Sequence, residues 1–390
     1  MSAEAVQERP RLARALTFAL TLTTVMGLLF GVPWWTLVVA PGWPVAVVAA
    51  GTVLFVGGAL GLPVLMMFGH GRRHLDRVAV AGDTLLGVIW VLFTWSVLAS
   101  LARILLALAG VGDPVRSRAV AVATIVVVLP LLVWGYAEAM RVPRVRRVEV
   151  TIPRLGAGLD GLRLAMLTDT HYGPLDRARW SARVTEVVNG LDPDIVAHTG
   201  DIADGMVAQR REQAAPLGDI RASLARVYVT GNHEYYSSEG QGWLDHMAEL
   251  GWEALHNRHL VVGRDGARLV LAGVDDYTAG STGTPGHLAD HATALSGVDP
   301  ELPVVLLAHQ PKQIGAAVEY GVDLQLSGHT HGGQIWPFNL LVRLDQPVVQ
   351  GLSRHGARTQ LYTSRGTGFW GPPLRIFAPS EITLITLRAG

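Results

Sequence analysis

The chain has 390 residues, enough for two regions that each bury a core. Its 32 Lys and Arg balance 32 Asp and Glu, so no cationic surplus marks a polyanion-binding surface, and nucleic acid is disfavoured as a partner. It contains no cysteine, which excludes a disulfide framework, a thiolate nucleophile and thiolate metal ligation; any metal must be held by nitrogen and oxygen.

Composition divides the chain near Met140. Before it, four apolar stretches are each long enough for the roughly 20 residues of a helical membrane crossing: Leu12 to Val39, Val45 to Phe68, Val80 to Leu108 and Ala119 to Met140. The first is too long for a signal-peptide apolar segment and lacks a small-residue cleavage site, so it is expected to stay attached. Arg9, Arg11 and Arg14 lie before or at the very start of the first stretch, Arg72, Arg73 and Arg77 separate the second and third, and Arg141, Arg144, Arg146 and Arg147 come after the fourth. Only Arg116 and Arg118 stand on the opposite side, so the excess of positive charge puts both ends of the region, and everything after it, in the cytoplasm of a multi-pass cell-membrane protein. That orientation depends on the count at "GVPWWTLVVAPGWP", where the turn could fall at either proline and a different span number would reverse it. Apart from Arg14 at the start of the first stretch, the charged residues of these stretches are Asp83, Arg103 and Glu138, each near a span end, which favours an anchor over a transport path. The expected organisation is therefore an all-α membrane bundle over residues 1–140 and a separate α/β domain over residues 141–390.

The second region opens with "MRVPRVRRVEV", read as a basic linker whose arginines are placed to meet anionic headgroups. Near-continuous apolar runs then predict strands at Leu162 to Leu167, Asp194 to Thr199, Arg226 to Thr230, Arg268 to Val274, Val304 to Ala308, Asp323 to Ser327 and Glu381 to Leu387. Such runs fit a sheet covered on both faces. Helical periodicity with a closing glycine predicts helices in "ARWSARVTEVVNGL" and "PKQIGAAVEYGV".

The residues just past the strand ends carry the main functional signal. Asp169 and His171 come after the first strand, Asp201 after the second, Asn232 and His233 after the third, His309 after "VVLLA", and His329 and His331 after "DLQLS". In an open α/β sheet the carboxyl ends of the strands form the ligand crevice, so these tips converge if the strands share a sheet edge. Singly, each Asp is better read as a turn former and each His as a hydrogen-bonded core residue. Together, five successive tips with metal-competent side chains argue for one site. His198 lies inside its strand and reads as structural, as do His246, His256, His259, His287, His291 and His355 in helix or loop contexts. The pair in "LSGHTHGGQIWPF" is expected to serve two ions by alternation along an extended tip, with Thr330 facing away and Gly328 and Gly332 giving tight turns.

In order, "DTH", "GD", "GNHE", His309 and "GHTH" resemble the signature of the calcineurin-like metallophosphoesterases. The resemblance covers the chain from about Val150 onward, and "GHTHGGQIWPF" with "YTSRGTGFWGPPLRIFAPSEITLITL" is similar to the membrane-attached bacterial, YkuE-like branch. It implies an αββα sandwich of two mixed sheets and two divalent metal ions. Asp169, His171 and His331 would hold one ion, Asn232, His309 and His329 the other, with Asp201 bridging and His233 beside them as proton donor.

Two cations neutralise a phosphate ester and lower the pKa of a shared water for in-line attack, and His233 could protonate the leaving alkoxide. Neutral imidazoles and an Asn carbonyl leave such a site cationic enough to attract an anion. With nitrogen and oxygen ligands the metals are among Mn, Fe, Zn and Ni. "GTGFWG" has G-x-G-x-x-G spacing but is succeeded by two prolines where a dinucleotide site needs a helix, and no G-x-S-x-G is present.

The leading reading is a membrane-anchored, metal-dependent phosphoric monoester or diester hydrolase acting on a phospholipid-like or lipid-linked phosphoester. Two rivals stay open: a phosphodiesterase for a soluble nucleotide or envelope polymer, and a non-catalytic metal-binding sensor or scaffold.

Overall fold

The computed structural model describes residues 3–71 and 75–390, with side chains from residue 16 onward. Arg72 and Arg73 lie outside the described residues, as do the side chains of Arg9, Arg11 and Arg14. The chain divides into two compact units, Met1–Trp134 and Gly135–Gly390.

In the first unit the apolar stretches are helices: α1 (Ala3–Trp34), α2 (Val45–His70), α3 (Asp76–Leu108) and α4 (Val115–Met140), the last continuing into the second unit. A helix satisfies its backbone donors and acceptors internally, which a chain of this composition needs in lipid. Among the described residues four helices are long and apolar enough to cross a membrane: Leu16–Val39, Val45–His70, Asp76–Leu108 and Val115–Met140. The ambiguous "GVPWWTLVVAPGWP" is resolved by its geometry. Helix continues past Pro33 into a π-helical turn at Trp35–Val39, and the chain reverses only at Pro41–Pro44, where Gly42 adopts a φ of 60°. Arg118 donates to the carbonyls of Pro41 and Gly42, both at 3.0 Å, which ties the α1–α2 turn to the start of α4. Asp83 lies 2.9 Å from His70 Nε2, so it is engaged near the ends of its helices. Leu29, Phe30, Leu62 and Ile89 are buried together in a small core.

The second unit contains two six-stranded mixed sheets. Its strands are β1 (Arg144–Ile152), β2 (Arg163–Leu167), β3 (Ile195–His198), β4 (Ala225–Tyr228), β5 (Glu253–Ala254), β6 (Arg258–Arg264), β7 (Ala267–Gly273), β8 (Val304–Leu307), β9 (Leu324–Ser327), β10 (Gly351–His355), β11 (Thr359–Thr363) and β12 (Glu381–Ala389). One sheet has the order β1-β12-β2-β3-β4-β5 and the other β10-β11-β9-β8-β7-β6. In the first, β12 is antiparallel to β2 and the remaining pairs are parallel. In the second, the two outer pairs are antiparallel and the inner ones parallel.

The period of two along each strand sorts its side chains into layers. In β2, Leu164 and Met166 join Leu324 and Leu326 of β9 in the core between the sheets. Ala165 and Leu167 face the other way, with Val184 and Val188 of α5 (Ala178–Gly190) and Trp243 of a helix at Gly240–Glu249. On the far side of the second sheet, Val270 and Leu306 share a cluster with Ala317 of the helix Ile314–Glu319. The result is an αββα sandwich. The uninterrupted apolar runs arise because each sheet has helices on one face and the other sheet on the opposite face.

The segment read as a basic linker is instead strand β1. It pairs in parallel with β12 in the register Arg144 to Glu381. Two of its three arginines form intramolecular ion pairs: Arg144 donates to Glu138, with Nη2 at 3.1 Å from Oε2, and Arg146 lies 3.5 Å from Glu381. Val150 and Ile152 are fully buried while Glu149 and Thr151 are exposed, the pattern of a strand with one covered face.

Candidate metal centre

Every candidate named from the strand ends arrives at one place. Asp169 and His171 come after β2, Asp201 after β3, and Asn232 and His233 open the short helix Asn232–Tyr236 after β4. His309 lies just beyond β8, and His329 and His331 just beyond β9. Three overlapping groups of donor atoms result: Asp169, His171 and His331; His171, Asp201 and His233; and Asp201, His309 and His329. His171 Nε2 lies 3.0 Å from His331 Nε2 and 3.5 Å from Asp201 Oδ2, and His331 Nε2 lies 3.4 Å from Asp169 Oδ1. On the other side of Asp201, His309 Nε2 lies 3.2 Å from Oδ2 and 3.1 Å from Asn232 Oδ1, which is in turn 2.7 Å from His329 Nδ1.

The backbone is bent to achieve this. Asp169, His171, Asp201, His329 and His331 all have left-handed conformations, with φ of 52°, 44°, 53°, 67° and 51°. Such values are uncommon outside glycine, and clusters of them mark sites held by their surroundings. His329 and His331 are therefore not alternate residues of an extended tip. A left-handed turn, leading into Gly332 at φ 63°, sends one ring toward Asn232 and the other toward His171. Thr330 does face away, donating to the Val349 carbonyl at 2.7 Å. Gly328 has no positive φ; its lack of a side chain matters because a Cβ there would sit 2.1 Å from Thr168 Oγ1 and 2.2 Å from Asp169 Oδ2.

The donor set fits cations. His309 Nδ1 lies 2.7 Å from the Thr199 carbonyl and must donate to it, which leaves Nε2 of a neutral ring as a lone pair facing two oxygens. Three lone pairs meeting in a buried pocket call for a positive charge. Burial alone would lower the pKa of His309, but Asp201 and Asp169 hold it well above the ordinary value, a sign of the same demand. Burial raises Asp169, whereas at Asp201 the penalty of burial is outweighed by His309 and His233, which hold the carboxyl well below the usual range. His329 is pushed down to about 3 by burial and His309, and His331 is lowered by burial, His171 and Arg375, so both rings are neutral, as ligands must be.

Three supporting residues had no role in the sequence reading. Asp204 Oδ1 lies 2.8 Å from His171 Nδ1 and 2.7 Å from His233 Nδ1, orienting both rings. Burial opposes the ionised Asp204, but His171 and His233 keep its pKa low. The imidazole of His233 is correspondingly raised to about 9, with burial opposed by Asp201 and Asp204. Glu234 is fully buried and accepts from the backbone N–H groups of Asp201, Ile202 and Gly231 at 3.0, 2.8 and 2.6 Å, which locks the tips of β3 and β4 together. Arg375, also fully buried, donates to the His331 and Ala378 carbonyls at 3.2 and 2.8 Å and braces the final tip. A second acid three residues after "GD" and the last letter of "GNHE" were the available signals for the first two; Arg375 gave none.

His198 is a core residue: Nε2 lies 3.2 Å from Thr170 Oγ1 and Nδ1 accepts from the Gly200 N–H at 3.3 Å. The "GTGFWG" segment belongs to the site's rim. The N–H of Gly368 donates to the Asp169 carbonyl at 2.8 Å, and the Trp370 ring stands 5.7 Å from that of His233.

A family model described as calcineurin-like phosphoesterase matches residues 162–333. A Danio rerio protein described as a transmembrane protein with metallophosphoesterase domain is 39% identical over 272 residues, 68% of this chain and 62% of the relative. A Campylobacter jejuni protein described as an uncharacterised metallophosphoesterase is 34% identical over 294 residues, 73% of this chain and 75% of the relative. The Bacillus subtilis metallophosphoesterase YkuE, also described as uncharacterised, is 29% identical over 265 residues, 66% of this chain and 90% of the relative. The chain spans 62% and 64% of the lengths of the Danio rerio and Bos taurus transmembrane relatives. A match that runs from before the first of the converging tips to beyond the last, and a relative three-quarters covered at 34% identity, make this chain a member of the calcineurin-like metallophosphoesterase family.

Proposed function

We propose that the chain is a membrane-anchored two-metal phosphoester hydrolase, with residues 1–140 as the anchor and residues 141–390 as a catalytic domain on the cytoplasmic side. The observation that carries the reading is the shared carboxylate of Asp201, whose Oδ2 lies 3.5 Å from His171 Nε2 and 3.2 Å from His309 Nε2. On this reading Asp169, His171 and His331 would hold one divalent ion and Asn232, His309 and His329 the other, with Asp201 shared between them. When bound, such a pair neutralises the phosphate and lowers the pKa of a shared water. The chain's own residues do the rest. Glu234 and the left-handed tips fix the ligands in advance, so little reorganisation accompanies substrate binding. Asp204 occupies Nδ1 of His233, which leaves Nε2 to carry the proton given to the leaving alkoxide oxygen. An intact proton donor beside the ligands favours an enzyme over a sensor or scaffold.

For the substrate, a lipid-linked phosphoester is supported by the anchor together with two exposed rings flanking His233: Trp370 at 5.7 Å and Tyr236 at 5.4 Å between ring centroids. These rings offer apolar surface next to the scissile bond. The test uses detergent-purified full chain with added Mn²⁺, Fe²⁺, Zn²⁺ or Ni²⁺, assayed on phospholipids and on soluble mono- and diesters. Metal-dependent hydrolysis is expected, with lipid esters preferred; preference for soluble diesters would favour the nucleotide or polymer rival. Asp201→Asn should abolish turnover and lower bound metal, and unchanged turnover would sink the two-metal assignment. A reporter fused behind Gly390 reads the cytoplasmic placement.

A further inference from the structure

A second group of nitrogen and oxygen donors, separate from the eight residues above, gathers around Asp275, just past the end of β7. His256, ahead of β6, places Nδ1 2.7 Å from Asp275 Oδ1. His287, in a connecting loop, places Nδ1 3.5 Å from Asp275 Oδ2. The two imidazole rings lie 4.6 Å apart between centroids. Asp275 and His287 are buried, while the side chain of His256 is 36% exposed and opens the cluster to solvent.

The hydrogen bonds of this cluster do not close. His287 Nε2 lies 3.3 Å from Gln241 Oε1, an acceptor, so a neutral ring carries its proton on that nitrogen. Its Nδ1 is then a lone pair, which accepts from the Tyr235 hydroxyl at 3.0 Å and also faces Asp275 Oδ2. That oxygen is buried and has no hydrogen-bond partner. The carboxylate oxygen is thus left without a donor out of water, because the one lone pair of His287 Nδ1 is taken by Tyr235 and offers it no proton, an arrangement that costs stability unless a cation reaches it.

We propose that His256, Asp275 and His287 form a third, mononuclear metal site for a borderline divalent cation of the zinc type, completed by solvent. Two imidazoles and one carboxylate suit zinc-like ions and not Mg²⁺ or Ca²⁺, which prefer oxygen ligands throughout. His256 would carry its proton on Nε2 when Nδ1 binds. Gln241 on the distal nitrogen of His287 is the kind of outer partner that fixes the orientation of a ligating ring. Binding at His287 Nδ1 would release the Tyr235 hydroxyl, which keeps Thr230 Oγ1 as a partner at 3.1 Å and lies on the same short helix as Asn232 and His233.

The test is a metal count. Full chain in detergent is stripped with chelator, reloaded with Zn²⁺, freed of unbound ion by gel filtration and analysed by elemental mass spectrometry. His256→Gln and Asp275→Asn should each hold about one equivalent less than wild type. Asp201→Asn, directed at the dinuclear centre, should keep that equivalent, and the double variant Asp201→Asn with His256→Gln should lose it. The same zinc content in wild type, His256→Gln and Asp275→Asn overturns the third site. Because the Asp201→Asn background isolates the new site, its result is independent of whether the dinuclear reading holds.

Discussion

His233 and Asp201 sit side by side, with the backbone N–H of His233 donating to Asp201 Oδ1 at 2.9 Å, yet they are assigned different work. The difference can be measured. His233→Asn should lower kcat by about 10²- to 10⁴-fold, the usual worth of a positioned proton donor, while metal per chain stays at the wild-type level. Equal loss of turnover and metal would move His233 among the ligands. The ligand candidates were legible because each is a polar residue directly after an apolar run, where neither core packing nor a solvated face accounts for it. Asp204 and Glu234 were not legible. Their work is to hold other side chains and backbone N–H groups, and an acid in that role has no pattern in sequence until the partners are seen in space.

Three of the strand tips act as units because their backbones are wound left-handed at candidate ligands: Asp169 and His171, Asp201, and His329 and His331. Sequence periodicity speaks only to regular φ and ψ, so the extended tip inferred for His329 and His331 was the wrong local geometry, even though the two rings do separate. Gly328 offers a direct probe of this packing. A methyl group there collides with Thr168 and Asp169, neither of which can move without disturbing the tip of β2. Gly328→Ala should therefore weaken metal binding on the order of 10- to 100-fold in a chelator competition while the circular dichroism of the fold persists. Unchanged affinity would show that the tip can yield. Among the elements, buried strands such as β8 and β9 were readable as apolar runs. Strands β1, β5, β6, β10 and β11 were missed because they lie at or next to a sheet edge, and all but β11 include exposed positions, so their composition resembles that of loops and linkers. The two-sheet arrangement entered the sequence reading only through resemblance, since an apolar run does not reveal whether a helix or another sheet covers it.

At the scale of the molecule, stability should carry a signature of His198. Burial pushes its pKa down to about 3 in the folded protein, against an ordinary value of 6.5. Between those values the unfolded chain binds the additional proton, so stability falls as pH falls, by at most about 1.4 kcal/mol per pH unit from this group. His198→Gln removes that titration. Melting temperatures of wild type and variant should therefore converge as the pH is lowered from 6.5 to 4.5, and parallel curves would show that His198 does not titrate on unfolding.

The pairing of β1 with β12 sets the order in which the domain can be built. As the ribosome extends the chain, the strand that leaves α4 is made early, but its neighbour among the described strands is β12, which comes after all of β2 to β11 in sequence. Because β12 lies between β1 and β2, any chain stalled before Glu381 presents two unpaired edges in place of one internal strand. Exposed edges of this kind recruit strands from other molecules, which makes incomplete chains the species most prone to aggregation or proteolysis.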